Sequence, residues 1–243
     1  MTLILDLDHL LIRTEGLKVK MFELVRPLGV TRKIFNETYQ ATAHRAKGKY
    51  SYSAVIHGEK TAAALKKPGL ALEITKRLYQ AIEQTPNLVY GDVFDFLAKA
   101  RKSHARLILL TRGDPDWQMR KIKAAGLKRF FDQIIITPAD KKKKLRALVN
   151  PVTPRPERRG FSKELIKNST IPPWPKGLGL PGSNGVKNQA AYLITDNAQE
   201  IERLRKIKIT ILQLIRPDGK YREKARGVNT VQTLKQAWAM IAL

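Results

Sequence analysis

An apolar segment close to the first residue ends in two carboxylates. Residues 3–5 read Leu-Ile-Leu, which is typical of a strand buried in a parallel sheet, and Asp6 and Asp8 follow. Side chains two residues apart leave a strand on the same side, so both carboxylates are expected at its carboxyl end, where open α/β sheets bind ligands. Two like charges this close favour a bound cation or a shared proton. The segment therefore predicts a nucleophile, a general acid/base and a divalent metal.

Three later apolar runs end in residues that phosphoryl transfer requires: a hydroxyl before a glycine turn that can direct backbone N–H groups at an anion, lysines, and two acids. Helical patterns separate the runs, as in parallel α/β folds. Because the carboxyl ends of parallel strands meet at one edge, these residues are predicted to form one site with the first pair. The runs and the residues after them are 106–110 with Thr111, Arg112 and Gly113; 133–137 with the lysines 141–144; and 191–195 with Asp196 and Glu200.

With these four motifs in this order, the chain resembles the haloacid dehalogenase (HAD) superfamily, which has Asp-x-Asp, Ser or Thr, a lone Lys and an acidic pair on successive strands. The stretch from Thr111 through Gly126 to Asp132 is similar to the phosphatase branch. The resemblance spans nearly the whole chain. It implies the α/β class, with a Rossmann-like parallel-sheet core of the HAD type and a helical cap inserted after the first strand.

Hydrophobic periodicity predicts where the cap lies. Between residues 15 and 89 strand signals fade, and apolar side chains recur every three or four residues, which is typical of amphipathic helices. The predicted division is a core of residues 1–14 and 90–243 and a helical cap of residues 15–89. A mobile cap would exclude water from the site and contribute specificity. The recurring side chains are Ile74, Leu78 and Ile82, and Val19, Phe22 and Val25; cap residues that could face the site are Tyr50, Tyr52, His57 and Lys60.

The resemblance implies a magnesium-dependent phosphatase that hydrolyses a phosphorylated small molecule, a phosphomonoester, through an aspartyl-phosphate. Asp6 would attack phosphorus. Asp8 would protonate the leaving oxygen and then deprotonate water, which requires a pKa between those of a free carboxylic acid and neutral water. A hydroxyl and an ammonium group would hold the phosphoryl oxygens, where charge concentrates in the transition state. The implied phosphate-binding set is Thr111, Arg112, Gly113 and Lys141.

Magnesium is the cofactor implied by the resemblance, and carboxylate and carbonyl oxygens are ligands that suit it. The ligands would be Asp6, the main-chain oxygen of Asp8, Asp196 and Glu200. Glu200 has a second explanation, since Asn197 followed by Glu200 reads as a helix N-cap with its capping-box partner. Both explanations stay open.

The lysine run 141–144 also has a simpler explanation, because a run of charges is usually the solvated start of a helix. Lys141 stands where the family's lysine is expected, to within one residue. The other three lysines are predicted to face solvent.

The chain departs from the family pattern at two places. At the fourth motif, Thr195 precedes Asp196 where the family often has Gly. After Asp8 the family usually has a small residue and then Thr, whereas His9 and Leu10 stand here. His9 is predicted to lie on the strand face opposite Asp8, as a packing or surface residue.

A second function class follows from charge. Residues 150–188 are rich in proline and glycine and are predicted to form an extended insertion loop, with basic side chains interleaved with Phe161 and Trp174. Such a loop could bind nucleic acid without sequence preference through phosphate contacts and stacking; a solvated insertion is the alternative. The net charge of +25 would attract phosphorylated small molecules and nucleic acids alike. The rival function is therefore a basic nucleic-acid or ribonucleoprotein binder on the HAD scaffold, or a phosphatase of nucleic-acid ends.

The chain contains no cysteine, and no apolar run reaches transmembrane length. No disulfide framework, thiolate nucleophile or membrane span is therefore predicted. Residues 1–8 lead directly into a core strand, so no signal peptide is expected. A cytoplasmic location is the simplest expectation.

Overall fold

Six parallel strands form one sheet in a computed structural model, which describes residues 1–43, 52–138, 140–149, 190–217 and 222–242. The order of the strands across the sheet is β3-β2-β1-β4-β5-β6. They are β1 (Thr2–Leu5), β2 (Arg106–Arg112), β3 (Gln133–Thr137), β4 (Ala191–Thr195), β5 (Thr210–Leu214) and β6 (Asn229–Val231). The predicted α/β class with a Rossmann-like parallel sheet is confirmed.

Helices connect the strands, because a parallel pair cannot be joined by a tight turn. The helices in the described residues are α1 (Thr14–Val25), α2 (Arg32–Ala43), α3 (Ala54–Ala64), α4 (Ala71–Glu83), α5 (Val93–Lys102), α6 (Pro115–Ala124), α7 (Lys142–Val149), α8 (Ala198–Leu204) and α9 (Leu234–Ile241). Short 3₁₀ turns lie at Arg26–Leu28, Pro68–Leu70, Thr85–Leu88 and Lys128–Phe130. Polar side chains that accept a backbone N–H begin several helices: Ser53, Asp114, Asn197 and Thr233.

The central position of β1 determines where the polar residues meet. Leu5 of β1 is level with Leu109 of β2 on one side and with Ile194 of β4 on the other. Asp6 follows Leu5 directly, and Asp196 follows Ile194 by two residues. The residues at the carboxyl ends of these neighbouring strands therefore lie at one edge of the sheet.

Apolar layers cover both faces of the sheet. On one face, Leu145 of α7 and Leu204 of α8 pack with Ile4 and Ile108 of the sheet. On the other face, α5, α6 and α9 contribute to a larger apolar cluster that continues into α1, α2, α3 and α4. The sheet is thus buried on both sides, which explains its nearly continuous apolar strands.

Helices α1 to α4 lie between β1 and β2 in chain order. The predicted stripe of α4 is confirmed, and its three side chains are buried. The stripe predicted for α1 is wrong at Val19, which is 42% exposed. A spacing of three residues falls short of the 3.6-residue helical turn, so Val19 and Val25 lie on different sides of the helix. The buried side chains of α1 are Leu17, Met21, Phe22 and Val25.

Two sequence predictions fall outside the described residues: the basic loop of residues 150–188 and Tyr50. The division into a core and a cap of residues 15–89 stays a prediction. In the part of the chain that the structure describes, no helix is both long and apolar enough to cross a membrane.

Candidate active site

A cavity of about 390 Å³ opens at the carboxyl ends of the strands. All eight residues predicted for the site line this cavity, although they come from four separate segments of the chain. They are Asp6, Asp8, Thr111, Arg112, Gly113, Lys141, Asp196 and Glu200. Together with Thr14, Gln118 and Lys121, which line it too, we call them the floor of the cavity.

Lys141 holds the carboxylate at the end of β1. Its Nζ donates to Asp6 Oδ2 at 2.5 Å and to Glu200 Oε2 at 3.2 Å, and the side chain is buried. Burial lowers the pKa of Lys141, but the two carboxylates outweigh it and raise that pKa above its usual range. Of the lysines at 141–144, Lys141 is therefore the one that reaches the site. The following three are half-buried or exposed on α7.

Asp8 is held by a different lysine. Lys121 Nζ donates to Asp8 Oδ1 at 2.6 Å, and Gln118 Nε2 donates to Oδ2 at 2.8 Å. Burial raises the pKa of Asp8, but the Lys121 ammonium and these hydrogen bonds outweigh it and hold the pKa well below its usual range. The expected intermediate pKa is therefore wrong for this structure, in which Asp8 is an ionised carboxylate.

The two departures from the family pattern after Asp8 have structural explanations. Leu10 is fully buried, and its carbonyl accepts hydrogen bonds from the guanidinium of Arg216, the nearer at 3.0 Å. A hydroxyl still reaches the carboxylate, since Thr14 Oγ1 donates to Asp8 Oδ1 at 2.8 Å. The prediction that His9 faces away from Asp8, as a packing or surface residue, is wrong. His9 lies in a turn with φ of 61° and lines the cavity beside Asp8.

Gln118 connects the floor residues of β1 and β2. Besides Asp8, its Nε2 donates to Thr111 Oγ1 at 3.2 Å and to the Arg112 carbonyl at 2.8 Å. Gly113 makes room for this side chain, because a Cβ at Gly113 would lie 2.9 Å from Gln118, and its φ of 153° is unfavourable for other residues. The N–H of Gly113 itself donates to the Thr137 carbonyl at 3.0 Å, so it is not one of the N–H groups of the turn that could face an anion.

Asp196 supplies an oxygen suited to a cation. The side chain is 3% exposed, and its Oδ2 is buried with no hydrogen-bond partner among the described residues. Burial and the nearby Asp6 carboxylate raise the pKa of Asp196 well above its usual value. A divalent cation would relieve both effects, and the oxygens of Asp6 and Asp196 with the Asp8 carbonyl are hard donors of the kind magnesium prefers. These residues therefore fit the implied metal.

Glu200 differs from the other predicted metal ligands. Its carboxylate accepts from Lys141 and lies 3.4 Å from the Thr195 hydroxyl, while its N–H donates to Asn197 Oδ1 at 3.2 Å. The N-cap explanation is thus confirmed for Asn197, and the Glu200 side chain still reaches the site. Among the described residues, no three histidine or acidic side chains converge as a ready metal centre. A magnesium ion here would be bound by fewer than three such side chains, and the Asp8 carbonyl and water would complete its coordination.

Aromatic side chains also line the cavity, and we call them the roof: Tyr39 of α2, Tyr52 before α3, and Trp117 of α6. The Tyr52 ring lies 5.1 Å from Tyr39 and 4.7 Å from Trp117, centroid to centroid. Behind the roof, the Tyr52 hydroxyl lies 2.9 Å from Nδ1 of His57, which is fully buried and does not line the cavity. Lys60 is exposed and does not line the cavity either. Of the four cap candidates, Tyr52 alone is found at the site within the described residues.

Sequence reasoning missed Thr14, Gln118 and Lys121. A usable signal was present for the last two, because Asp114 and Pro115 mark the start of a helix. Residues at i and i+3 share a helix face, so one floor-facing side chain implies the other. Thr14 had no such signal, since its contact with Asp8 depends on the turn between β1 and α1.

Comparison with known families agrees with the resemblance seen in the sequence. A family model described as haloacid dehalogenase-like hydrolase matches residues 1–157. No curated protein matches the chain significantly.

Solved structures with this fold include hydrolases of different activity. A magnesium-bound HAD hydrolase, YfnB of Bacillus subtilis, is 12% identical with a TM-score of 0.61, covering 100% of this chain and 98% of that one. A HAD phosphatase of Thermococcus onnurineus is 16% identical with a TM-score of 0.56, covering 99% and 97%. The L-2-haloacid dehalogenase of Xanthobacter autotrophicus is 16% identical with a TM-score of 0.58, covering 99% and 98%. At these identities the likeness extends to the fold alone.

Proposed function

The chain belongs to the haloacid dehalogenase-like hydrolases, and we propose that it is a magnesium-dependent phosphatase, which hydrolyses a phosphomonoester through an aspartyl-phosphate on Asp6. The observation that carries the proposal is that the cavity places two acids, each held by its own ammonium group, beside a hydroxyl. Lys141 pairs with Asp6, and Lys121 pairs with Asp8. The two ammonium groups offset the negative charge of these acids, so a phosphoryl anion is repelled less as it approaches Asp6.

In the proposed reaction, a carboxylate oxygen of Asp6 attacks phosphorus, and the bond from phosphorus to the leaving oxygen breaks. Asp8 is ionised before the substrate binds. A phosphomonoester that enters as its monoanion brings a proton, which Asp8 takes up and passes to that leaving oxygen. In the second half, Asp8 takes a proton from the water that attacks the aspartyl-phosphate, which releases inorganic phosphate and restores Asp6. The ionised Asp8 of the structure is the form that the second half requires.

Lys141 and Thr111 would hold the phosphoryl oxygens as charge shifts onto them. Both side chains are buried at the cavity, so water screens their interactions little. We assign Glu200 to positioning the Lys141 ammonium, because its carboxylate lies against that group rather than against Asp196. Bound by Asp6, Asp196 and the Asp8 carbonyl, magnesium would supply charge neutralisation for the phosphoryl group.

Asp8 favours phosphoryl transfer over dehalogenation, the activity in the name of one structural neighbour. A halide leaves as a weak base and needs no proton, whereas an alkoxide leaving from phosphorus does. An acid two residues after the nucleophile, fixed at the cavity by three side chains, suits the second reaction. The expected substrate is a phosphorylated small molecule, since the cavity of about 390 Å³ is at the lower end for ligand pockets.

The test is turnover of an aryl phosphate and of a 2-haloacid by the purified chain, each with magnesium and with a chelator. Phosphate release that requires magnesium and disappears in Asp8→Asn is expected. The matched control is Asp116→Asn, an exposed aspartate on α6 outside the cavity. Halide release without phosphate release would replace the proposal with a dehalogenase. Phosphate release unaffected by Asp8→Asn would remove Asp8 from its role.

A further inference from the structure

Among the described residues, net positive charge is densest on one face. This face, the α7–α8 face, comprises residues 140–149, 198–209 and 222–226. Lys141 and Glu200 belong to the floor of the cavity and do not contribute to it. The other 25 residues hold eleven lysines and arginines against three acids, a net charge of +8. Residues 1–43 and 52–138 hold 21 against 13, the same net charge spread over 130 residues. The charge density of the α7–α8 face is therefore several times higher.

The three segments of this face are contiguous. Leu145 of α7 and Leu204 of α8 belong to the same apolar cluster under the face. Ala225 packs with Ala198 and Ile201 of α8, and Arg205 donates to the carbonyl of Arg226. The basic side chains thus project from one layer. At about 10 Å per helix, the layer is roughly 20–25 Å wide.

Most of these basic groups have no acidic partner within the part of the chain that the structure describes. Among the described residues, Arg205 with Glu202 is the one ion pair that an outward-facing side chain of this face forms, with an N–O distance of 2.7 Å. Elsewhere the exposed or half-exposed basic groups of Lys18, Lys20, Arg77, Arg101 and Arg120 are paired with neighbouring carboxylates. Unpaired surface charge of one sign repels itself, and a polyanion would relieve this repulsion.

The side chains of the face suit some polyanions better than others. It has no aromatic residue, so it offers no stacking surface for the bases of a single strand. The exposed large apolar side chains of the described chain lie elsewhere, so it offers no group for insertion into a lipid layer. They are Val19, Val55, Leu72, Phe94 and Met240. What remains is a set of ammonium and guanidinium groups suited to backbone phosphates.

We propose that the α7–α8 face binds double-stranded nucleic acid through its phosphates, without reading sequence. A duplex carries one charge per about 1.7 Å, so about 25 Å of it presents about 15 phosphates, of which roughly a third face one side. About five contacts give a slope of log affinity against log salt near −4.5. The face consists of other residues than the basic loop predicted at residues 150–188, and the proposal does not rest on the proposed phosphatase activity.

The test compares two variants of the full chain that carry the same net charge. The face variant is Lys143→Gln, Lys144→Gln, Arg203→Gln and Lys206→Gln; the control variant is Lys60→Gln, Lys66→Gln, Lys67→Gln and Lys76→Gln, all exposed residues in both sets. Binding to a short DNA duplex is measured across a salt series, with a single strand and phosphatidylserine–phosphatidylcholine vesicles as further ligands. Circular dichroism establishes that both variants are folded.

The face variant is expected to lose at least about tenfold in duplex affinity and to show a shallower salt slope, by about 0.9 for each lost contact. The control variant is expected to bind as the unmodified chain does. Equal losses in both variants would mean that net charge alone drives binding, and unchanged binding in the face variant would move the site elsewhere; either overturns the proposal. Tighter binding to vesicles or to the single strand than to the duplex overturns it too, as does no duplex binding near physiological salt.

Discussion

The floor and the roof of the cavity hold their side chains by different interactions. In the floor, Lys141 and Lys121 each hold a carboxylate in a buried ion pair. In the roof, the neutral rings of Tyr39, Tyr52 and Trp117 pack at tilted angles, with His57 behind them. The floor residues lie at the proposed reacting atoms, whereas the roof residues are neutral rings that contribute mainly packing. The floor should therefore respond to substitution in turnover, and the roof in stability.

The largest expected effect is that of Asp6→Asn, which removes the proposed nucleophile from the floor. Turnover of an aryl phosphate should fall by on the order of 10⁴-fold or more, because an amide cannot form the acyl-phosphate. Circular dichroism should show an unchanged fold, and Asp116→Asn should keep its activity. Turnover near that of the unmodified chain would exclude the aspartyl-phosphate mechanism.

Lys141→Ala should lower kcat by about 10²- to 10³-fold, the typical loss when one group that stabilises developing charge is removed. The matched control is Lys143→Ala, two residues further on and exposed on α7. Its effect should be within about twofold. If both substitutions have the same small effect, the floor does not act on the phosphoryl group through Lys141.

For the roof, we expect an effect of pH on stability rather than on turnover, and the titrating group is His57 behind it. Burial lowers the pKa of His57 to about 4 from 6.5, so His57 is neutral in the folded chain near neutral pH. The unfolded chain binds a proton first as the pH falls, so stability is lost between about pH 6.5 and pH 4, by up to about 3 kcal/mol.

His57→Gln should reduce that loss, measured as the difference in free energy of unfolding between pH 7 and pH 4 by urea denaturation. His104→Gln, at an exposed position, serves as the control. An identical pH dependence in His57→Gln and the unmodified chain would show that His57 is not the group that titrates.

The smallest expected effect belongs to Lys121→Met, which leaves Asp8 with two of its three partners, Thr14 and Gln118. A carboxylate held less firmly should lower kcat by roughly tenfold, with little change in KM, because a small displacement of a catalytic group weakens proton transfer. Lys123→Met, exposed on the same helix, is the control. A rise in KM with kcat unchanged would instead make Lys121 a substrate-binding group.

Much of the floor was predictable because it lies at strand ends. An apolar run followed by a polar residue identifies β1, β2, β3 and β4, and the parallel arrangement brings their carboxyl ends together. Lys141 could be singled out from its run in the same way, since its position relative to β3 decides which ammonium group reaches Asp6. The roof was less predictable, because helical periodicity shows which side chains are buried but not which of them border a cavity.

The sequence by itself determined the fold class, the order along the chain of the strands that carry the motifs, and the eight residues that line the cavity. Only the tertiary structure decided the charge state of Asp8, because that depends on Lys121, more than a hundred residues away in the chain, and on the exclusion of water around both groups. It also decided that Gly113 accommodates Gln118 instead of offering an N–H to an anion. Local patterns specify strands and caps through neighbouring residues, whereas the pKa of a buried group depends on partners that only folding brings within hydrogen-bond distance.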